Sequence, residues 1–267
     1  MSVKVLILRT AGTNCDEETA FAFRLAGAET TKLHINALRK DPGRLAQFHV
    51  LAIPGGFSYG DDLGAGTVLA NEMKTLLRPA LDEFIDSGKL IIGICNGFQV
   101  LVKTGLLPGL KRWEQESTLT INDSGKFEDR WTYLRASPSN CVLVEKDDFI
   151  YAPVAHAEGK FVPRDEKVLS AMRENGQIVL RYTNAEGDTG AGYPCNPNGA
   201  VDDIAGVCDP TGRILGMMPH PERHCLPIHH PRWQREGLKE KGDGLRIFER
   251  AMKYATETQR TQRTAQT

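Results

Sequence analysis

A cysteine stands between two glycines where an apolar run gives way to a helical pattern, in Leu90-Ile91-Ile92-Gly93-Ile94-Cys95-Asn96-Gly97-Phe98-Gln99-Val100-Leu101. Gly-x-Cys-x-Gly in that setting has the form of a nucleophile elbow with sulfur in place of a hydroxyl. The glycines relieve crowding in the tight turn, where the nucleophile is held in a strained backbone conformation. A thiol at a helix N-terminus also lies near unpaired N–H groups, which stabilise its thiolate. The bland alternative is a buried cysteine at a strand end. The match on both sides of Cys95 favours the nucleophile.

Such a thiol needs a histidine to handle its proton and a third group to orient the imidazole. Of seven histidines, His220 stands out. It follows the strand-like Ile214-Leu215-Gly216-Met217-Met218, and Pro219-His220-Pro221-Glu222 forces the chain out of regular structure at the strand's end. Ligands of open α/β folds bind at the carboxyl ends of the strands. Residues two apart in an extended segment project to the same side, so Glu222 can reach a His220 ring nitrogen. The spacing predicts a Cys95, His220, Glu222 triad; a surface His-Pro turn is the competing reading.

A third segment, Ile53-Pro54-Gly55-Gly56-Phe57-Ser58-Tyr59-Gly60-Asp61-Asp62, follows another apolar strand. It lacks the GxxxxGK[ST] and GxGxxG patterns of phosphate cradles. Glycines at the end of a neighbouring strand instead let backbone amides approach a substrate carbonyl. The N–H groups of Gly56 and of Asn96, the residue after the nucleophile, are therefore candidates for an oxyanion hole; an ordinary Gly-rich turn is the alternative.

The elements that must hold these groups are legible as a pattern. Val3–Leu8, Val50–Ile53 and Leu90–Ile94 are short, continuously apolar runs alternating with helical segments. That pattern requires a largely parallel sheet covered by helices on both faces, an α/β fold. The first helix is predicted from about Asn14, capped by Thr13 or Asn14, with Phe21 and Leu25 on one face and Gly27 at its end. A later helix is predicted over Pro79–Ser87. Residues 113–135 turn polar, aromatic and Thr-containing, which suggests a small antiparallel excursion. Further strands are expected at Gln177–Tyr182 and Ile214–Met218. Leu245, Phe248 and Met252 form the core stripe of a last helix. No repeat or linker divides the chain, so one domain is expected over residues 1–256, with a polar, frayed tail over 257–267.

The 267 residues carry 33 Lys+Arg against 34 Asp+Glu, a formal net charge of −1. Near-zero charge leaves no electrostatic footprint for nonspecific nucleic-acid or anionic-membrane binding, so neither is an expected partner. No apolar run approaches the roughly 18 residues a membrane helix needs, and the first strand lacks a signal-peptide pattern; a cytoplasmic location is expected. The six cysteines are scattered without a CxxC, so disulfides are not expected.

Beyond these physical readings, the sequence resembles the class I, or triad, glutamine amidotransferases, and within them the glutaminase subunits of phosphoribosylformylglycinamidine synthases from purine biosynthesis. The resemblance rests on GTNCDEET (12–19), PGGFSYGDDLGAG (54–66), GICNGFQVL (93–101), LTINDSGKFEDRW (119–131), PVAHAEGKF (153–161), NPNGAVDDIAGVCDPTGRILGMMPHPER (196–223) and GDGLRIF (242–248). It implies a flavodoxin-like fold and hydrolysis of L-glutamine to glutamate. Ammonia would pass to a separate synthetase subunit, with a small third subunit as a further partner. No cofactor is implied in this chain; ATP and Mg would sit on the synthetase. By the same resemblance, Cys95 attacks the carboxamide, His220 serves as acid and base, Glu222 orients it, and Gln99 and His156 contact the substrate.

Two segments depart from the family pattern. Arg9-Thr10-Ala11-Gly12 replaces the usual FPG before TNCD, and the stretch 224–240, with HCLPIHHPRWQRE, looks like an insertion. His220, His224, Cys225, His229 and His230 there could form a metal-binding regulatory module, but their spacing fits no common zinc pattern; no metal site is expected. A stand-alone cysteine hydrolase of related fold is the other alternative.

Overall fold

The computed structural model describes residues 2–264, without the side chains of 262–264. Eleven strands are present among them: β1 Lys4–Arg9, β2 Glu29–His34, β3 Val50–Ile53, β4 Leu90–Ile94, β5 Ser117–Thr120, β6 Glu128–Ala136, β7 Phe149–His156, β8 Lys160–Pro163, β9 Ile178–Thr183, β10 Ile204–Cys208 and β11 Ile214–Met217. The helices are α1 Asp16–Leu25, α2 Ile35–Lys40, α3 Thr67–Leu76, α4 Arg78–Asp86, α5 Asn96–Thr104, α6 Glu166–Glu174, α7 Trp233–Glu236 and α8 Leu245–Thr264.

Nine strands form one sheet in the order β2-β1-β3-β4-β11-β10-β9-β6-β7, and β5 pairs with β8 apart from it. From β2 to β11 the neighbours run parallel. From β11 to β7 every pairing is antiparallel. The antiparallel part is thus the second half of the main sheet as well as a local excursion. Every residue of β3, β4 and β11 is buried, the signature of strands covered on both faces.

The antiparallel half curls so that the outer edge of β7 meets the segment leaving β11. His220 N donates to Pro153 O at 2.8 Å, and the His224 ring Nδ1 lies 2.5 Å from Tyr151 O. An edge that would otherwise present open backbone groups is thereby engaged by the turn that carries the histidine.

Three expectations are corrected. Helix α1 starts at Asp16, because Thr13 Oγ1 accepts from Thr10 N and Asn14 Oδ1 from the Cys15 thiol, so neither side chain caps the helix. Its buried face holds Thr19, Ala20 and Phe23, while Phe21 and Leu25 are exposed. Phe23 decides this orientation: its ring meets Phe248 of α8 edge-on at 4.9 Å. Finally, α8 continues through Thr264, across most of the segment read as a frayed tail; residues 265–267 lie outside the described residues. Helix α4 and the Leu245, Phe248, Met252 core stripe are as expected.

Candidate active site

Cys95 follows β4 directly and precedes α5, so the strand end fixes its position and the helix its direction. It adopts φ 52°, ψ −107°, a conformation costing on the order of 1–3 kcal/mol that surrounding structure must hold. Three contacts hold it. Cys95 N donates to Met217 O at 2.8 Å, and Gln99 N donates to Cys95 O at 3.1 Å. Gly97 lies so close to β3 that a Cβ there would stand 1.9 Å from Ile53 O. The second glycine of the elbow is therefore required by close backbone approach.

Register brings the histidine to the same place. Met217 at the end of β11 pairs with Ile94, and the chain then turns through His220 and Glu222, both almost wholly buried. His220 Nδ1 lies 2.7 Å from Glu222 Oε1. Burial alone disfavours the imidazolium, but the carboxylate of Glu222 and the sulfurs of Cys95 and Cys15 outweigh it and hold the His220 pKa well above the ordinary histidine value. The His220 ring and Cys95 flank Gly55, where a Cβ would lie 2.9 Å from His220 Cε1 and 3.4 Å from Cys95 Cβ. The turn itself rests on Gly242 and Gly244, whose N–H groups donate to Cys225 O and His224 O at 3.0 and 2.9 Å. A Cβ at either glycine would strike the backbone of that turn.

A narrow cleft of about 40 Å³ opens over the thiol, lined among others by Gly56, Asp61, Gln99, His156 and Glu158. The amide of Asn96 belongs to the first turn of α5, where N–H groups lack intrahelical partners. Gly56 has φ 140°, and a Cβ there would stand 2.7 Å from Gly12 O. Gln99 lines the cleft with both ends of its carboxamide engaged: Oε1 accepts from Asn96 Nδ2 at 2.9 Å and Nε2 donates to Glu158 O at 2.6 Å. It ties α5 to the wall formed by residues 155–158. His156 stands in that wall with Nδ1 3.2 Å from Asn122 Oδ1. Burial, reinforced by the charge of His220, lowers its pKa to about 4.

The sequence reading gave Cys15 no role. Cys15 N donates to Gly55 O at 3.2 Å, and its sulfur would stand 3.1 Å from a Cβ on Gly55, on the same side as His220 and Cys95. Arg223 donates to this sulfur at 3.2 Å and to Glu18 at 2.8 Å. Burial raises the Cys15 pKa, an effect that His220 partly offsets. Its motif, GTNCDEET, was visible; the pairing of Thr13 with Gly56 that carries it to the site was not.

The His- and Cys-rich stretch 220–230 does not bring its side chains together as one donor set. His224 is used by Tyr151 O, the Cys225 thiol donates to Pro221 O at 3.5 Å, and the rings of His224 and His230 pack on Trp131. Its anchoring aromatics come from β6 and β7.

Comparison with known proteins places this geometry in a lineage. Residues 2–255 match the family model described as the CobB/CobQ-like glutamine amidotransferase domain. The chain belongs to this family of glutamine amidotransferases. It is 55% identical over 254 residues to the phosphoribosylformylglycinamidine synthase subunit PurQ of Dehalococcoides mccartyi, covering 95% of this chain and 98% of that one. It is 46% identical over 264 residues to the same-named subunit of Methanococcus maripaludis, covering 94% and 97%. Among solved structures, it superposes on a chain of PurLQS from Thermotoga maritima with a TM-score of 0.71 and 30% identity, covering 95% and 99%. The amidotransferase fold thus accounts for nearly the whole chain, the antiparallel half included. No helix among the described residues is long and apolar enough to cross a membrane.

Proposed function

We propose that this chain is the glutaminase subunit of a phosphoribosylformylglycinamidine synthase, hydrolysing L-glutamine through Cys95, His220 and Glu222 and passing the ammonia to a synthetase subunit that holds ATP and Mg. The observation that carries the reading is the placement of Cys95 and the His220–Glu222 pair at the carboxyl ends of the adjacent parallel strands β4 and β11, with Cys95 at the base of a cleft.

Cys95 attacks the carboxamide carbon of glutamine. The amides of Gly56 and Asn96 take the charge that develops on the carbonyl oxygen, where fixed dipoles are most effective. His220 protonates the departing nitrogen and then removes a proton from the water that cleaves the thioester. Glu222 keeps Nδ1 protonated and the ring aimed. Gln99, engaged at both carboxamide ends, shapes the cleft wall, while His156 keeps a buried Nε2 without a protein partner. The synthetase chemistry belongs to the partner, because this sequence carries neither nucleotide-binding pattern sought in it.

Cys95→Ala is the deciding test. Glutamate release should fall at least about 1,000-fold, as when a covalent nucleophile is lost. Synthesis by the reconstituted complex supplied with free ammonia should persist. Release at the parent rate would remove Cys95 from the chemistry. Assaying glutaminase activity with and without the synthetase, ATP and nucleotide substrate separates this reading from a stand-alone hydrolase, which turns over equally well alone.

A further inference from the structure

The cleft over Cys95 carries two carboxylates that the proposed glutaminase chemistry does not use. Asp61 and Glu158 stand in its lining together with His156, and none of the described residues that line it is a lysine or arginine. Asp61 Oδ1 accepts from Gly66 N at 3.3 Å and from Asn96 Nδ2 at 3.2 Å, while Glu158 Oε2 accepts from Ala65 N at 3.3 Å. Asp61 Oδ2 and Glu158 Oε1 are left without such a bond among the described residues. Lys103 feels both carboxylates, but its ammonium donates to Thr67 Oγ1 at 2.9 Å and it is not part of the lining.

His156 adds an acceptor of a different kind. Asn122 Nδ2 donates to Lys126 O and His156 O, and Gly159 N donates to Asn122 Oδ1, so the oxygen of that amide is the end that faces the ring. His156 Nδ1, 3.2 Å from this oxygen, therefore carries the ring proton. Nε2 is left with a lone pair, buried and without a hydrogen-bond partner. Three acceptors without donors in one lining suit a cationic group with three donors, which is what an ammonium is. Burial and the charge of Glu158 both push the Asp61 carboxyl above its ordinary value, a penalty that a bound cation relieves. The set is also tied to the nucleophile. Asn96, the residue after Cys95, bridges Asp61 to Gln99 Oε1, and Gln99 Nε2 donates to Glu158 O.

We propose that Asp61 and Glu158, with His156 Nε2, bind the α-ammonium of the amino-acid substrate and so make the cleft selective for glutamine over primary amides that lack that group. The inference rests on the glutaminase reading and deepens it by naming the side chains that choose the substrate. Both carboxylates act on a part of glutamine remote from the scissile bond, so weakening one acts through KM more than through kcat.

The test assays the full chain, reconstituted with its synthetase, on glutamine and two analogues. Glutaramate keeps the carboxylate and carboxamide but has no amine, and 4-aminobutanamide keeps the amine and carboxamide but has no carboxylate. The parent should prefer glutamine to glutaramate by at least about 100-fold in kcat/KM, as charge-assisted hydrogen bonds that lose their donor require. Asp61→Asn and Glu158→Gln should each shrink that preference at least about tenfold, mainly through KM, and weaken the use of 4-aminobutanamide by a similar factor. Equal losses for glutamine and glutaramate, or an unchanged preference in both variants, would overturn the inference. Each substitution keeps an oxygen for the backbone amide that its parent side chain receives, and circular dichroism checks the fold; if one variant misfolds, the other decides. A parent complex that hydrolyses no glutamine removes the glutaminase reading itself and the inference with it, an outcome distinct from an active parent whose variants keep their preference.

Discussion

The two halves of the sheet do different work. In the parallel half, β4 and β11 deliver Cys95 and His220 at matched heights, and the β3 end supplies Gly55 and Gly56. In the antiparallel half, β7 supplies no member of the proposed triad; it lends the carbonyls of Pro153 and Ala155 and the ring of His156 to the surroundings. Parallel strands point the same way, so adjacent strands naturally present their following residues side by side at one edge. Antiparallel neighbours alternate direction and are better suited to walling a site than to assembling one. Reactive groups and supporting groups are thereby placed on separate parts of one sheet, and damage to each should look different.

If that division holds, the largest effect belongs to the parallel half. Glu222→Gln should lower glutamine turnover by about 10⁴, the loss seen when a triad loses its orienting carboxylate, with glutamine binding retained in equilibrium measurements. Unchanged turnover would remove Glu222 from the mechanism. Gly55→Ala comes next. Its methyl would meet His220 Cε1 at 2.9 Å, and because Glu222 holds the ring it cannot simply swing aside. Turnover should fall by about 100-fold, as small displacements of reacting groups do, while far-ultraviolet circular dichroism remains that of the parent.

In the antiparallel half, His156→Asn should act on stability more than on chemistry. The folded state holds His156 neutral to about pH 4, against an ordinary value of 6.5. Between those values the unfolded chain binds the extra proton, so the contribution is fully present above pH 6.5 and is lost as pH falls toward 4. The amount is about 3 kcal/mol. Urea unfolding at pH 7 and pH 4.5 should show the variant losing less stability than the parent across that interval; equal losses would show that the ring titrates freely.

How much of this was legible in the sequence depended on whether the information was local. The elbow at Cys95 was legible because strand, nucleophile and helix follow one another without a break. His220 and Glu222 were legible because two prolines and a two-residue spacing constrain them. Strand β2, with the residues ETTKLH, escaped notice because an edge strand with half-buried positions needs no apolar run. The outward turn of Phe21 and Leu25 could not be read either, since periodicity shows that a helix has a face and not which face meets Phe248. The place of Cys15 was the least legible. It depends on the loop 10–15 being joined to the loop 55–59, by bonds such as Phe57 N to Gly12 O and Tyr59 N to Ala11 O, and nothing local to either loop announces the other.

The seating of the histidine turn on Gly242 and Gly244 bears on the order in which the chain is made. A ribosome delivers the nucleophile strand and its helix early, but the surface that supports the catalytic base arrives only after residue 244 has emerged. During synthesis Cys95 therefore exists for an interval without the support of the His220 turn, and a chain interrupted before that point lacks the surface on which that turn rests. The meeting of Cys95 with His220 is in this way completed only once the glycine-rich segment before the final helix has been made and has docked.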